Sequence, residues 1–222
     1  MAVIMKPFLV GGAIFDLDGV LVDTACDHFE AWQQMARSLG FELSPAQGEQ
    51  LKGVSRPEAL DIVLSIGRVS ASESRRAQLA AAKNTWYLKR IAGLGPERLL
   101  PGARAALAEL RRRRVPVGLA SSSKNAREIL RQTQIDSCFD AIVDGNAITR
   151  TKPDPEIFLR AASELGLPAG ACVVFEDAEA GVTAARRAGC RVVGIGGRTF
   201  ATADLTAATL SEVDLSLLFG PG

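Results

Sequence analysis

An apolar run over residues 8–15 ends abruptly in two carboxylates, Asp16 and Asp18. An extended backbone turns side chains two positions apart toward the same side, so the two acids are expected to lie close together. Like charges repel at that distance unless a cation or a shared proton relieves the repulsion. Gly19 then allows the backbone to turn and to approach a ligand closely. The segment predicts a buried strand ending in a metal site or an acid–base pair, although such aspartates also satisfy turn amides.

After residue 97, apolar runs alternate with amphipathic segments. The apolar runs predict strands at residues 115–120, 141–143, 172–175 and 191–195. The amphipathic segments predict one helix that starts after Gly102 and others at residues 126–132, 155–165 and 181–188. Repeated strand–helix–strand units of this kind favour an α/β fold, with a Rossmann-like open parallel sheet covered by helices on both faces.

The segment between the first strand and this alternating region has a different pattern. Residues 25–92 are almost entirely helical in periodicity, with apolar side chains such as Phe29 and Met35 at helical intervals. The segment Gly93-Leu94-Gly95-Pro96 then breaks any helix. We therefore predict two domains: an α/β core formed by residues 1–24 and 97–222, and an α-helical cap domain of residues 25–96 inserted after the first strand.

Acidic and basic residues nearly cancel in this chain. The 26 lysines and arginines against 25 aspartates and glutamates give a formal net charge of +1. Such a balance provides no general attraction to nucleic acid or to an anionic membrane, so we expect neither as a partner. The arginine run at residues 111–114 complements the dipole of the helix that it closes more simply than it forms a nucleic-acid patch.

The cysteines and the apolar run near the N-terminus indicate in which cellular compartment the protein is expected. Cys26, Cys138, Cys172 and Cys190 show no short metal-type spacing and are expected to be free, buried thiols of a reducing compartment. The apolar run at residues 8–15 is too short to span a bilayer and lacks a small-residue cleavage site. We expect a cytoplasmic monomer. The tail beyond residue 200 shows no identifiable chemistry.

Polar side chains follow three further predicted strands. Residues 121–125 supply small hydroxyls and free amides at a helix start, which is a natural phosphate cradle. The ammonium of Lys152 suits a phosphate and an aspartate together. Glu176 and Asp177 offer oxygen ligands for Mg²⁺. Each feature alone fits a helix cap or an ordinary surface residue, but the carboxyl ends of parallel strands meet at one edge of the sheet, which favours a single site.

The segment Asp16-Leu17-Asp18-Gly19-Val20, followed by Asp23-Thr24, resembles the first motif of the haloacid dehalogenase-like phosphotransferases. Ser121, Lys152 and the pair Glu176-Asp177 match the second, third and fourth motifs in order, so the resemblance covers the whole chain. The dehalogenases of this superfamily lack the second aspartate of the first motif. The resemblance implies transfer of a phosphoryl group, with Ser121 and Lys152 binding phosphate oxygens.

The resemblance also implies a role for each acidic residue. Asp16 attacks phosphorus and forms an aspartyl phosphate, and an aspartate with an ordinary pKa near ~3.9 is ionised at pH 7. Asp18 takes a proton from one alcohol and gives it to another. One Mg²⁺ is implied as the cofactor, bound by the side chains of Asp16, Glu176 and Asp177 and by the main-chain carbonyl of Asp18.

The resemblance extends into the helical segment. It is carried by His28-Phe29-Glu30-Ala31-Trp32, Leu51-Lys52-Gly53-Val54-Ser55-Arg56, Lys83-Asn84, and the core loop Ser121-Ser122-Ser123-Lys124-Asn125. These segments are similar to those of family members that move a phosphoryl group between two hydroxyls of a sugar. In such an enzyme a lid that closes over the site can exclude water.

By this resemblance the sugar is contacted by Lys52, Gly53, Val54 and Ser55. Trp32 helps to shape the pocket, and Thr24 lies in the hinge between cap and core. His28 and Lys83 form a linked pair that draws Asp18 into place. From the residues alone, His28 also fits an ordinary surface histidine, and Trp32 also fits the apolar core of the cap.

A bisphosphate intermediate needs a second phosphate site away from the metal. A guanidinium on the lid suits that purpose, and Arg56 is the candidate. The core loop that faces it supplies Ser123, Lys124 and Asn125, and Ser122 of the same loop is also expected to bind the substrate. One departure from the family pattern is Pro57-Glu58-Ala59, where the family often has a serine. This departure leaves the second phosphate more dependent on Arg56.

Taken together with the residues, the resemblance implies a mutase of the isomerase class. It is expected to interconvert β-glucose 1-phosphate and glucose 6-phosphate, with glucose 1,6-bisphosphate as intermediate and activator. Small sugar phosphates are then the expected partners. Two alternatives stay open: an Mg²⁺-dependent sugar-phosphate phosphatase of the same superfamily, and a non-catalytic sugar-phosphate sensor built on the same scaffold.

Overall fold

The computed structural model describes residues 9–197 and 199–221. Within these two ranges, six parallel strands form one sheet in the order β3-β2-β1-β4-β5-β6. The strands are β1 (Gly12–Phe15), β2 (Val117–Ala120), β3 (Ala141–Val143), β4 (Cys172–Glu176), β5 (Arg191–Ile195) and β6 (Leu205–Ala207). The predicted α/β class with an open parallel sheet is confirmed.

Helices connect these strands and also fill the segment after β1. They are α1 (Ala25–Ser38), α2 (Pro45–Gly48), α3 (Arg56–Ile66), α4 (Glu73–Arg90), α5 (Ala103–Arg112), α6 (Ala126–Gln132), α7 (Glu156–Glu164), α8 (Glu179–Ala188) and α9 (Leu215–Phe219). None of the helices in the described part of the chain combines the length and apolarity needed to cross a bilayer.

Strand β1 lies in the middle of the sheet and is buried on both faces. Ala13 and Phe15 point into one apolar cluster, which α5, α6 and α9 cover. Ile14 points into a second cluster on the opposite face, which α7 and α8 cover. A strand with two buried faces needs apolar side chains at every position, which is why the segment is a continuous apolar run. The layering places the end of β1 at the centre of the molecule.

Helices α1, α3 and α4 pack around an apolar cluster of their own. Trp32 and Met35 of α1 meet Leu60 and Val63 of α3 and Leu79 of α4. We propose that this cluster is the core of a separate cap domain with the bounds given above, residues 25–96.

Several predicted elements differ at their ends from the observed ones. The strand predicted at residues 8–15 begins only at Gly12, and Phe8 lies outside the described residues. The strand predicted from residue 115 begins at Val117, because Pro116 has no N–H to donate to a ladder. Strand β6 and helix α9 were not predicted. Both are short, and their apolar patterns are too brief to show a period.

The expectation of four buried thiols was wrong for two of them. Cys172 and Cys190 are buried, whereas Cys138 is half-buried and Cys26 is exposed. Cys26 lies in the first turn of α1, where its thiol is 3.5 Å from Glu30 Oε1.

Candidate active site

Asp16 is the first residue after β1 and continues the ladder toward β4. Its backbone N–H donates to the carbonyl of Phe175 at 3.0 Å. The ring of Phe175 stacks on that of Phe15 with centroids 4.5 Å apart, which fixes the two strand ends together. The carboxylate of Asp16 is only 6% exposed. A buried carboxylate at this position needs a positively charged partner.

Lys152 provides that partner. Its ammonium is fully buried and donates to Asp16 Oδ1 at 2.6 Å, to Glu176 Oε1 at 2.5 Å and to the carbonyl of Ala120 at 3.1 Å. Burial disfavours the charge, but the two carboxylates outweigh it and raise the pKa of Lys152 above its ordinary value. The ammonium is therefore permanently charged and ties the ends of β1, β2 and β4 together.

Three carboxylates crowd together at this edge of the sheet. Side-chain oxygens of Asp16, Glu176 and Asp177 lie within 4.8 Å of one another, and all three residues are buried. Burial, followed by repulsion from Glu176, raises the pKa of Asp177 to about 7. Burial likewise raises the pKa of Asp16, although Lys152 opposes the shift. Three hard oxygen donors that repel one another form a cluster that could hold a divalent cation.

The backbone at Gly19 allows Asp177 to reach this cluster. Gly19 has a φ of +87°. A Cβ atom at that position would lie 2.3 Å from Asp177 Oδ2, closer than any real contact. The glycine that follows the two aspartates is therefore needed both for its left-handed conformation and for the space it leaves to Asp177.

Asp18 lies next to the acidic cluster, but its carboxylate is not one of the three grouped there. The Thr24 hydroxyl donates to Asp18 Oδ1. His28 Nε2 lies 3.9 Å from the same oxygen. Burial raises the pKa of Asp18, while the hydrogen bond from Thr24 opposes that shift. Asp18 is thus oriented by Thr24, which precedes α1, and by His28 of α1. The predicted metal contact of its main-chain carbonyl stays a prediction.

His28 and Lys83 are in direct contact, with Lys83 Nζ 2.8 Å from His28 Nδ1. The ammonium lies 4.8 Å from the ring centroids of both Trp32 and Tyr87. Burial and then the charge of Arg56 lower the pKa of Lys83 to about 7. Burial and then Lys83 hold the pKa of His28 well below its ordinary value.

A neutral His28 has a defined tautomer in this arrangement. When Lys83 is charged it can only donate, so Nδ1 accepts and the ring hydrogen is on Nε2, the atom that faces Asp18. Tyr87, which sequence reasoning missed, stacks on the His28 ring with centroids 3.8 Å apart and fixes its plane. The only sign of Tyr87 in the sequence was its spacing, because it follows Lys83 by one helical turn.

A cavity of about 390 Å³ lies between the cap helices and the core. A cavity of this size suits a small ligand. Fifteen of the predicted site residues line it: Asp16, Asp18, His28, Trp32, Lys52, Gly53, Val54, Ser55, Arg56, Lys83, Ser121, Ser122, Ser123, Lys124 and Asp177. The cavity therefore contains carboxylates from the core together with cationic side chains from both parts of the chain.

Four predicted site residues are not part of the cavity wall. Thr24, Lys152 and Glu176 are buried behind it and act on the residues that line it. Asn125 instead donates to Asn84 Oδ1 of α4 at 3.1 Å, joining the core loop to the cap. Their roles toward a substrate stay predictions.

Further contacts join cap and core around the cavity. Ser122 Oγ donates to the carbonyl of Gly53 at 2.9 Å. Lys52 Nζ lies 3.7 Å from Asp177 Oδ2 and 3.0 Å from Glu49 Oε1. The loop before α3 is thereby held against the carboxyl end of the sheet.

The carboxyl edge of the open parallel sheet carries an aspartate pair, a buried lysine and an acidic pair. These groups together define a site of the phosphotransferase class. Residues 10–189 match the haloacid dehalogenase-like hydrolase family. The chain belongs to this family, and the predicted resemblance is confirmed.

Several relatives resemble the chain over most of its length. It is 42% identical over 208 residues to the β-phosphoglucomutase of Bacillus subtilis strain 168, covering 92% of each chain. It is 33% identical over 186 residues to the phosphorylated carbohydrates phosphatase of Thermotoga maritima, covering 82% of this chain and 83% of that one. The crystal structure of β-phosphoglucomutase from Clostridium difficile superimposes with a TM-score of 0.88 at 34% identity, covering 94% and 95% of the two chains.

Proposed function

We propose that this protein is a β-phosphoglucomutase, interconverting β-glucose 1-phosphate and glucose 6-phosphate. The observation that carries the proposal is the composition of the cavity between cap and core. Asp16 and Asp18 line it together with Arg56 and Lys124, so a nucleophile, a proton carrier and cations for a second phosphate share one ligand-sized space. The relatives named β-phosphoglucomutase in both the sequence and the structural comparison support this assignment.

Asp16 carries the phosphoryl group in the proposed reaction. In the phosphorylated enzyme, the C6 hydroxyl of β-glucose 1-phosphate attacks phosphorus, the bond between Asp16 and phosphorus breaks, and the proton of the hydroxyl passes to Asp18. The product is β-glucose 1,6-bisphosphate. After the bisphosphate has reversed its orientation in the cavity, Asp16 attacks the phosphorus of the C1 phosphate, the bond between that phosphorus and the C1 oxygen breaks, and Asp18 returns the proton to the C1 oxygen. Glucose 6-phosphate leaves, and the phosphorylated enzyme is restored.

The residues around the two aspartates prepare them for these steps. Lys152 fixes the position of Asp16 through a charge-assisted hydrogen bond of 2.6 Å. Thr24 and His28 hold Asp18 where a proton can be exchanged with the substrate. Mg²⁺, bound by the acidic cluster and by the main-chain carbonyl of Asp18, would shield the nucleophile from the phosphate and stabilise charge on the phosphoryl oxygens.

The remaining predicted residues are proposed to bind the substrate. Residues 52–55 contact the sugar and Trp32 shapes the cavity. Arg56 binds the second phosphate with the help of the core loop 121–125. Free sugar phosphates are then the ligands, with glucose 1,6-bisphosphate as activator. A monomeric state and a cytoplasmic location belong to the same proposal, and gel filtration with light scattering measures the first.

A sugar-phosphate phosphatase is the second candidate. It is favoured by the similarity to a phosphorylated carbohydrates phosphatase. The two activities share every step up to the phosphorylated enzyme and differ only in whether a sugar hydroxyl or water attacks it. The cap decides between them, because it determines how much water reaches phosphorus.

One coupled assay separates these candidates. Purified protein is given anomerically pure β-glucose 1-phosphate with Mg²⁺ and catalytic glucose 1,6-bisphosphate, and both glucose 6-phosphate and orthophosphate are measured. We expect glucose 6-phosphate to exceed orthophosphate and to depend on the bisphosphate. Stoichiometric orthophosphate would establish the phosphatase instead. Failure to turn over any hexose phosphate would favour the non-catalytic sensor.

A further inference from the structure

Glu58 joins the cap to the core at the loop that carries Lys152. Its Oε2 atom accepts a hydrogen bond from the hydroxyl of Thr151, the residue just before Lys152. The same oxygen accepts from the backbone N–H of Ser55 at 3.0 Å and from its hydroxyl at 2.8 Å. A single carboxylate of the cap therefore ties the start of α3 to the Lys152 loop.

The Glu58 carboxylate is held firmly on the cap side. Ser55 precedes α3 and Glu58 lies in its first turn, where each side chain accepts a hydrogen bond from the other residue's backbone N–H. Burial disfavours the charge of Glu58, but hydrogen bonds from Thr151 and Ser55 outweigh it and lower the pKa of the carboxyl group. Glu58 is thus ionised at neutral pH, and its hydrogen bond to Thr151 is charge-assisted.

Besides the ion pair of Lys52 Nζ with Asp177 Oδ2 at 3.7 Å, two other contacts between cap and core near the cavity are neutral. They are the hydrogen bonds from Ser122 to the carbonyl of Gly53 and from Asn125 to Asn84. A charge-assisted hydrogen bond is roughly twice as strong as a neutral one. The Glu58 contact is of the charge-assisted kind, although Glu58 is exposed and water screens part of its charge.

The contact also stands next to the reacting groups. Ser55, Arg56 and Thr151 all line the cavity. Lys152, which follows Thr151, is bonded directly to the Asp16 carboxylate. Loosening the contact between Glu58 and Thr151 would open the cavity wall beside the proposed phosphate-binding residue Arg56 and admit water there.

We propose that the Glu58–Thr151 contact determines how often the phosphorylated enzyme transfers its phosphoryl group to a sugar hydroxyl rather than to water. This inference rests on the proposed mutase function. In the competing step, a water oxygen attacks the phosphorus on Asp16, the bond between Asp16 and phosphorus breaks, and a proton of the water passes to Asp18. The products are orthophosphate and the free carboxylate. Glu58 and Thr151 act as positioning residues of the cap.

Two variants weaken or remove the contact from opposite sides. Glu58→Gln keeps an acceptor for the Ser55 N–H but loses the charge, and Thr151→Val removes the donor without altering α3. During turnover of β-glucose 1-phosphate, we expect each variant to raise the ratio of orthophosphate to glucose 6-phosphate by about three- to tenfold. The double variant should show no larger rise than the stronger single variant, because both substitutions act on the same interaction.

Three controls separate this role from a structural one. Thr151→Ser retains the hydroxyl and should keep the wild-type product ratio. Glu73→Gln neutralises an exposed carboxylate in the first turn of another cap helix, α4, and should also leave the ratio unchanged. Thermal unfolding should show that Thr151→Val, although the lost hydrogen bond lowers its Tm, is fully folded at the assay temperature, so that a change in ratio cannot come from lost folding.

The outcomes distinguish the inference from the function on which it rests. A wild-type enzyme that makes glucose 6-phosphate, with ratios unchanged in Glu58→Gln and Thr151→Val, overturns the role of the contact and leaves the mutase intact. Rises that add in the double variant also overturn it. If the wild type releases only orthophosphate, the proposed function and the inference fall together.

Discussion

Lys83 is an amine whose positive charge is energetically unfavourable because the side chain is buried. Its side chain is 2% exposed, lies between two aromatic rings and touches His28. Arg56 adds a second cation nearby and helps to lower the pKa of Lys83 to about 7. The amine therefore loses its proton far more readily than a surface lysine does. A neutral or easily discharged amine can hold His28 in place without repelling it.

This burial makes stability depend on pH in a defined direction. Below pH 7, Lys83 is charged in both the folded and the unfolded protein, and burial of that charge destabilises the folded protein to its full extent. Between pH 7 and about 10.5 the unfolded chain binds the proton and the folded protein does not, so the free energy of unfolding rises with pH, by up to about 1.4 kcal/mol per pH unit. Lys83→Met should lack this component, which urea unfolding at pH 7, 8 and 9 would measure.

Lys89→Met is the matched control for that experiment. Lys89 is exposed on the same helix, so its removal should leave the pH dependence of the wild type unchanged. Titration of Asp177 is common to all three proteins and cancels in the comparison. Identical slopes for the wild type and Lys83→Met would show that Lys83 is charged and solvated in the folded protein.

Asp16 is the residue on which the proposed chemistry depends. Asp16→Asn preserves the shape of the side chain but removes the anionic nucleophile, so turnover should fall by at least about 10⁴-fold. No phosphorylated protein should be detected by mass spectrometry under mild acid. Asp154→Asn changes a half-buried aspartate outside the cavity wall and should retain turnover. Turnover of Asp16→Asn near the wild-type rate would exclude Asp16 as the phosphoryl carrier.

Among the elements, α8 has its first turns packed directly against Glu176. The carboxylate is fully buried, accepts from Lys152 and from the N–H of Ala178, and leaves no room beside Gly181. A Cβ atom on Gly181 would lie 1.8 Å from Glu176 Oε1. The helix can approach the acidic cluster this closely only because residue 181 has no side chain.

Gly181→Ala should therefore displace Glu176 from the cluster. We expect a loss of about 1–3 kcal/mol in the free energy of unfolding, because Glu176 is too tightly bonded to move freely. Mg²⁺ binding, measured by isothermal titration calorimetry, should weaken as well. Gly170→Ala is the control, since its Cβ would meet only the carbonyl of Gly189, at 3.8 Å. Unchanged Mg²⁺ affinity in Gly181→Ala would show that Glu176 contributes nothing to the metal.

The elements that could be predicted from sequence are those in which turn residues bound an apolar or amphipathic segment. The strand at residues 141–143 and the helix at residues 126–132 match the observed bounds, because flanking turns and apolar periodicity mark both. Helix α8 begins two residues earlier than predicted, since Glu179 and Ala180 carry no apolar signal of their own. Strand β6 has three residues and only half-buried or exposed side chains, so its sequence resembles a loop.

The candidate site was partly predictable for a similar reason. Residues that end strands, such as Asp16 and Asp177, can be placed together from topology alone. The contact of His28 with Lys83 came from the resemblance and is present in the structure. Tyr87 and Thr151 were missed, because a stacked ring and a hydroxyl that reaches the other part of the chain depend on three-dimensional packing that no local pattern records.

For the molecule as a whole, the buried acidic cluster couples metal binding to stability. A cation that binds only the folded protein stabilises it by about 2.7 kcal/mol at a concentration one hundredfold above Kd. For a chain of this size that corresponds to a rise of roughly 5–10 °C in Tm. We expect Mg²⁺ to produce such a rise in differential scanning fluorimetry and EDTA to reverse it.

Asp177→Asn provides the comparison for the metal experiment. It removes one of the three carboxylates and should reduce the Mg²⁺-dependent rise in Tm by more than half, although the apo protein gains stability from the lost repulsion. An equal rise in the variant would mean that Mg²⁺ binds somewhere other than this cluster.

The central position of β1 has a consequence for biosynthesis. β1 is translated first among the strands, yet its two neighbours, β2 and β4, are encoded much later. At 5–20 residues per second, β4 leaves the ribosome ~8–30 s after β1. Both edges of this apolar strand lack their partners until β2 emerges, and the edge that pairs with β4 stays open for the rest of the interval, so a nascent chain that ends before β4 is the species that a chaperone would have to protect from aggregation.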